Sequence, residues 1–271
     1  MLQEPILDLT RDQIKGFVTR GFVRVNDAFP RELAAQARRR IWRDLPGDGR
    51  IPATWPQSVE RSDIYRQKPF REVLGAPRLQ RAIDQLVGPG RWQQPNGLGP
   101  FVIRYPSKRS TRDTGWHIDP AFPPPDSSGD PDPMADPLTW RVNIHAQGRG
   151  LLMLMLFSDV GPQDGPTRLR AGSHLDVAPL LEPAGPEGVD AHGLDATIGK
   201  DRVVHLATGK AGTVYLCHPF LVHAAQRNQG KRPRFLAHVD LPLVRPLILG
   251  RTDGRYAPVE WAIRKAICWY P

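Results

Sequence analysis

The chain has 271 residues, with 37 Lys and Arg against 28 Asp and Glu, a net charge of +9, and a 40% hydrophobic content. Its 29 prolines exclude a bundle of long helices, and its two cysteines, Cys217 and Cys268, support neither a disulfide framework nor a CxxC site. The longest apolar run, residues 151–157, is far short of the ~20 needed to span a bilayer, and the acidic start, MLQEPILDLT, has no basic leader, so a cytoplasmic protein is expected.

In chain order, Thr10 and Gln13 form a capping-box pattern that predicts a helix over 11–20, stopped by Gly21. Residues 22–25 alternate like a short strand. Apolar spacing predicts further helices over 30–45 and 78–87, the latter ended by Gly88-Pro89-Gly90. From about residue 99 short strands follow: 99–105, 114–119, 139–146, 151–159, 202–206, 212–217, 221–227 and 233–241. A final helix is predicted over 258–268. Many short strands with Gly- and Pro-rich turns, flanked by helices, predict a mainly β sandwich or jelly roll with helical support. Residues 121–137 hold six prolines and four aspartates, and this stretch and 182–195 are long irregular loops, the former placed to act as a lid.

The positive charge is almost all arginine, 30 of the 37 basic residues. It forms no basic tail and no alternation of basic and aromatic residues, so no nucleic-acid partner is expected. The sharpest local signal is Trp116-His117-Ile118-Asp119. Residues two apart in a strand share a face, so His117 and Asp119 supply two legs of a facial metal site. A triad of two histidines and one carboxylate suits non-haem Fe(II), because it leaves adjacent positions open. Either His218 or His223 offers the third leg; five residues apart, they face opposite sides of a continuous strand. Arg234 follows His223 across an Asn228-Gln229-Gly230-Lys231 turn, and a hairpin there would set it beside His223. A guanidinium so placed could clamp a carboxylate through two N–H groups.

Taken together, WHID at 116–119, Ser158-Asp159-Val160, Asp164-Gly165-Pro166-Thr167 leading into Gly172-Ser173-His174, and the His223 to Arg234 interval resemble the phytanoyl-CoA dioxygenase-like branch of the Fe(II)/2-oxoglutarate-dependent oxygenases. The resemblance spans roughly residues 10–241. It implies a double-stranded β-helix (cupin-like jelly roll) and Fe(II) held by His117, Asp119 and His223. It implies 2-oxoglutarate chelating that iron, with Arg234 on its distal carboxylate and His218 outside the ligand set. The whole of 1–271 then reads as one oxygenase domain, with helical support over 1–95, the jelly roll over 96–245 and an extension over 246–271.

One departure concerns the hydroxyl residue that relatives often carry two positions after the last histidine. Here it is Ala225, which leaves Arg104, Asn143 and Thr167 as candidate helpers for 2-oxoglutarate. The implied reaction consumes O₂ and 2-oxoglutarate, releases succinate and CO₂, and hydroxylates, cyclises or desaturates a small organic molecule, in specialised metabolite biosynthesis more than on a fatty acyl-CoA. The alternative is a non-catalytic jelly roll that binds a metal or ligand. A nucleic-acid demethylase would need a second arginine at 240, which is Asp. Phosphate-loop, dinucleotide and Gly-x-Ser-x-Gly motifs are all missing.

Overall fold

The computed structural model describes residues 8–267 apart from 47–50, 56–57, 110, 112, 127, 129–131 and 133. Helix α1 (Arg11–Arg20) opens with the Thr10–Gln13 capping box and closes on Gly21, whose φ of 82° is left-handed. A Cβ at that glycine would lie 2.5 Å from His174 Nδ1, so the turn depends on glycine twice over. Then come β1 (Phe22–Val25), α2 (Arg31–Asp44), β2 (Val59–Ser62), α3 (Lys68–Leu74), α4 (Pro77–Val87), β3 (Phe101–Arg104), β4 (Arg141–Val142) and β5 (Leu151–Leu156). The rest are β6 (Arg168–Arg170), α5 (His174–Leu181), β7 (Val189–Asp190), β8 (Val204–Leu206), β9 (Val214–Cys217), β10 (His223–Ala224), β11 (Arg234–Leu241) and α6 (Pro258–Ala266).

Six strands form an antiparallel sheet in the order β1-β9-β5-β11-β3-β2, which faces a smaller one ordered β10-β6-β8. This is the double-stranded β-helix. Leu152, Leu154, Leu156, Tyr215, Cys217 and Leu236 pack inward against Leu169 and Ala207 of the small sheet. The alternate residues Met153, Met155, Leu216, Phe235 and Val239 pack outward with Phe17, Ile41, Phe70 and Leu79 of the helices. Both faces of β5 are therefore buried, which explains its unbroken apolar run LLMLML. Each fully buried Leu, Met or Phe in these layers contributes about 1.5–3 kcal/mol.

Several expectations are corrected. Residues 114–119 form no strand; His117 makes only an isolated bridge to His223. The predicted strands over 139–146 and 221–227 shrink to two residues each. The hairpin across 228–231 does not form, because β10 and β11 belong to different sheets. His223 pairs with Leu169, while Arg234 pairs with Arg104. Helix α5, which His174 opens, is not among the expected elements, because Pro179 hides it in the sequence. The centre of the lid candidate (127, 129–131 and 133) lies outside the described residues, as does Cys268.

A pair of buried histidines joins the helices to the loop that precedes β10. The rings of His174 and His218 lie 4.8 Å apart. His174 Nε2 faces the Val18 carbonyl of α1, and His218 Nε2 faces that of Val259 in α6. Burial pushes His174 down to about 4 and His218 well below the ordinary histidine range. Arg202, Asp176 and Lys265 surround His174, so both rings are neutral in the folded protein. The unfolded chain binds their protons near pH 6.5, so stability is complete above that pH and falls as pH drops towards 4. Acidification from pH 7.5 to 5.5 is expected to cost roughly 1 kcal/mol through His174. Urea midpoints at the two pH values check this. His174→Gln should lose less on acidification than the parent, and equal losses would clear His174.

Candidate metal centre

His117 and His223 exchange both backbone hydrogen bonds, 3.0 and 2.9 Å long. Directly opposed residues of an antiparallel bridge present their side chains on one face, and the two rings lie 4.5 Å apart. Asp119, two residues beyond His117, turns back to them: Oδ1 is 3.5 Å from His117 Nε2 and Oδ2 is 3.5 Å from His223 Nε2. One ligand atom from each of the three residues lies within 4.8 Å of the others.

The chemistry of the donor set fits a metal ion. His117 Nδ1 is 2.9 Å from the Gly115 carbonyl and His223 Nδ1 is 3.1 Å from the Leu221 carbonyl. Carbonyls only accept, so the protons sit on Nδ1 and both Nε2 lone pairs point at the gap. His223 Nε2 is buried with no hydrogen-bond partner among the described residues, an arrangement that costs stability unless a metal fills it. Burial pushes His223 down to about 4, which keeps it neutral as a ligand must be. Burial opposes charge on Asp119 too, but the imidazoles of His223 and His238 hold it well below the usual carboxylate range.

Around this triad, Arg168 Nη2 donates to the carbonyls of Thr114 and Ala225, tying the two ligand-bearing segments together. Trp116 lies under two guanidiniums, those of Arg168 at 4.7 Å and Arg170 at 4.2 Å. A second set, Asp119, His238 and Asp240, is close enough to hold an ion. Arg149 already occupies it as the cation, 3.1 Å from Asp240.

A different group of charges lies at the start of β11. Arg234 and Arg104 stand opposite each other in the β11–β3 register and are both buried. Arg104 is balanced by Asp113 and bonded to Thr111. Among the described residues Arg234 has only the Gly165 carbonyl, and burial, with Arg104 beside it, pushes it down to about 9. The Nε of each arginine is buried without a partner among the described residues. Such a pair has buried donors to offer an anion. Thr167 lies buried on the stretch that begins with Gly165. Asn143 offers nothing to this site, because both its amide N–H groups are committed to Gln147 and Pro186.

Sequence reasoning missed His238 and Arg149. His238 Nε2 is 3.0 Å from Asp119 Oδ2, and Arg149 donates to the Asp119 carbonyl. The signal for His238 was available, since it lies an even four residues beyond Arg234 on a predicted strand. Nothing periodic marks Arg149, which follows a turn at Gly148.

The profile of the phytanoyl-CoA dioxygenase (PhyH) family matches residues 17–236. The chain belongs to that family. Like its relatives, this PhyH protein is an Fe(II)- and 2-oxoglutarate-dependent oxygenase that uses O₂. Among curated proteins, no significant match is found. Solved structures share the fold. HygX from Streptomyces hygroscopicus, with nickel, 2-oxoglutarate and hygromycin B bound, is 19% identical, covers 87% of this chain and 88% of its own, and has a TM-score of 0.52. EctD from S. alaskensis, with 2-oxoglutarate and 5-hydroxyectoine, is 21% identical over 89% and 78%, with a TM-score of 0.56. The epimerase SnoN, in complex with Fe³⁺, alpha-ketoglutarate and nogalamycin RO, is 18% identical over 85% and 82%, also at 0.56. No described helix is long and apolar enough to cross a membrane.

Proposed function

We propose that this oxygenase hydroxylates a small polar organic molecule of specialised metabolism, and that residues 1–271 act as one domain. The observation that carries the substrate class is a cavity of about 670 Å³ that reaches Asp119 and mixes Trp140 and Pro100 with Arg66, Asn96 and Asp240. Its lining is mostly apolar, with Arg66, Asn96 and Asp240 as placed polar groups beside the flat face of Trp140, which suits a compact organic molecule that carries a few hydroxyl or amine groups. The polar small molecules in the HygX and EctD complexes support the same reading.

In this reading His117, Asp119 and His223 hold the iron, and Arg234, with Arg104 behind it, receives the distal carboxylate of 2-oxoglutarate. Thr167, buried two residues after the Gly165 that Arg234 bonds, is the candidate hydroxyl helper. When bound, ferrous iron supplies O₂ activation coupled to oxidative decarboxylation of 2-oxoglutarate, which yields succinate and CO₂. The chain's own residues do the rest. His117 and His223 keep their Nδ1 protons on backbone carbonyls, so each Nε2 stays available to the metal. Arg234 fixes the far end of the cosubstrate and so its orientation. The arginine–Trp116 stack fixes the segment that carries His117 against β6 of the small sheet.

The test is succinate release with Fe(II), 2-oxoglutarate and air, first alone and then with a panel of small hydroxylated and amino compounds beside acyl-CoAs. Slow release without added substrate, accelerated several-fold by a polar panel member, is the expected result. Acceleration by an acyl-CoA alone would overturn the substrate class, and no release from metal-loaded protein would overturn the reaction.

A further inference from the structure

Three imidazoles surround Asp119, and they do not present the same face. His117 and His223 carry their protons on Nδ1 and turn bare Nε2 atoms to the gap. His238 is the reverse: its Nε2 lies 3.0 Å from Asp119 Oδ2, and because the ionised carboxylate only accepts, that nitrogen carries a proton. Arg149 supports the same oxygen from 3.5 Å and grips the backbone carbonyl of Asp119. Both helpers are placed by the large sheet. His238 sits in β11 opposite Leu154 of β5, and Arg149 lies just before β5. Asp119 Oδ2 is thus engaged by N–H groups of the protein and also faces the bare His223 Nε2 at 3.5 Å, while among the described residues Oδ1 faces only the bare His117 Nε2, at 3.5 Å.

We propose that His238, with Arg149, is a positioning residue that keeps Asp119 a one-oxygen ligand, so that the coordination position a chelating carboxylate would take stays open for 2-oxoglutarate. The proposal rests on the metal assignment above. Its physical core is competition. A carboxylate with both oxygens free can close on the ion with both, whereas one that already accepts a hydrogen bond must give that bond up to do so. Loss of the His238 donor should therefore leave metal binding intact and weaken cosubstrate binding, the opposite of what loss of a ligand does.

The experiment measures two affinities on the full chain by calorimetry: Ni(II) for the apo protein, then 2-oxoglutarate for the Ni(II)-loaded protein. For His238→Ala the expected result is nickel affinity within about 3-fold of the parent and 2-oxoglutarate affinity at least about 10-fold weaker. His238→Gln, which restores a neutral N–H of similar reach, should recover most of that loss. The visible charge-transfer band of the anaerobic Fe(II)–2-oxoglutarate complex should weaken and return in parallel. Unchanged cosubstrate affinity in folded His238→Ala, equal loss of both affinities, or no recovery with Gln would each overturn the proposal. Failure of the parent chain itself to bind nickel would instead sink the metal assignment.

Discussion

His223→Ala is expected to abolish iron-dependent turnover of 2-oxoglutarate, while His218→Ala, five residues away, keeps most of it. The two side chains are both buried histidines on one short segment, and their surroundings separate them. His223 Nε2 has no partner and faces Asp119 and His117. Both ring nitrogens of His218 are spoken for, Nε2 by the Val259 carbonyl and Nδ1 by the Phe220 N–H. Removing His223 takes a third of the ligand set, so the loss should exceed the roughly 10–100-fold typical of removing a group that only orients a ligand. Removing His218 leaves a hole among α1, α5 and α6, and its cost appears in stability, about 3 kcal/mol by the measure of other buried rings. Succinate release at a temperature where both variants are folded, set beside their melting curves, separates the effects. A His218→Ala protein that is folded but inactive would mean that the third ligand is misassigned.

How much of this was legible in the sequence depends on whether the chemistry is local. The capping box of α1 and the doubly buried run of β5 are local patterns, and each appears in the structure where the sequence puts it. His117 and Asp119 were legible as a pair from their two-residue spacing, although no strand forms there and the bridge to His223 and the contact with His238 hold them on one side. Their partner was not, because residue spacing alone leaves His218 and His223 open, and only the family resemblance chose between them. The Arg234 expectation shows the limit most clearly. A turn at 228–231 suggested a hairpin, yet the chain uses that segment to cross from the small sheet to the large one. Asn228 holds the crossing by donating to the carbonyls of Arg104 and Arg232. Such a change of sheet leaves no periodic trace. Helix α5 was hidden for a related reason: its Gly172-Ser173 entry and internal Pro179 read as loop, and only packing against α6 makes it a helix.

Arg234→Met is expected to weaken 2-oxoglutarate binding by about 30-fold or more while making the cosubstrate-free protein more stable. The first effect follows from the chemistry of a buried clamp. Truncating one member of a desolvated, hydrogen-bonded charge pair costs about 2–5 kcal/mol, and 2 kcal/mol is about 30-fold in affinity. The second follows from what surrounds the guanidinium when no cosubstrate is bound. Arg234 is only 2% exposed, lies beside the like charge of Arg104 and, among the described residues, has no carboxylate in contact and no partner for its Nε. That charge is a cost carried by the fold, seen in its descent to about 9. Methionine fills similar space without it and gives up only the bond to the Gly165 carbonyl, worth about 1 kcal/mol. Thermal unfolding without cosubstrate, paired with 2-oxoglutarate titration of the Ni(II)-loaded variant, reads both quantities, and nickel affinity should not change. Arg234→Lys should fall between, since an ammonium keeps the charge and loses the two-pronged grip. If the methionine variant bound 2-oxoglutarate as well as the parent does, Arg234 would be a structural cation and the anion site would lie elsewhere.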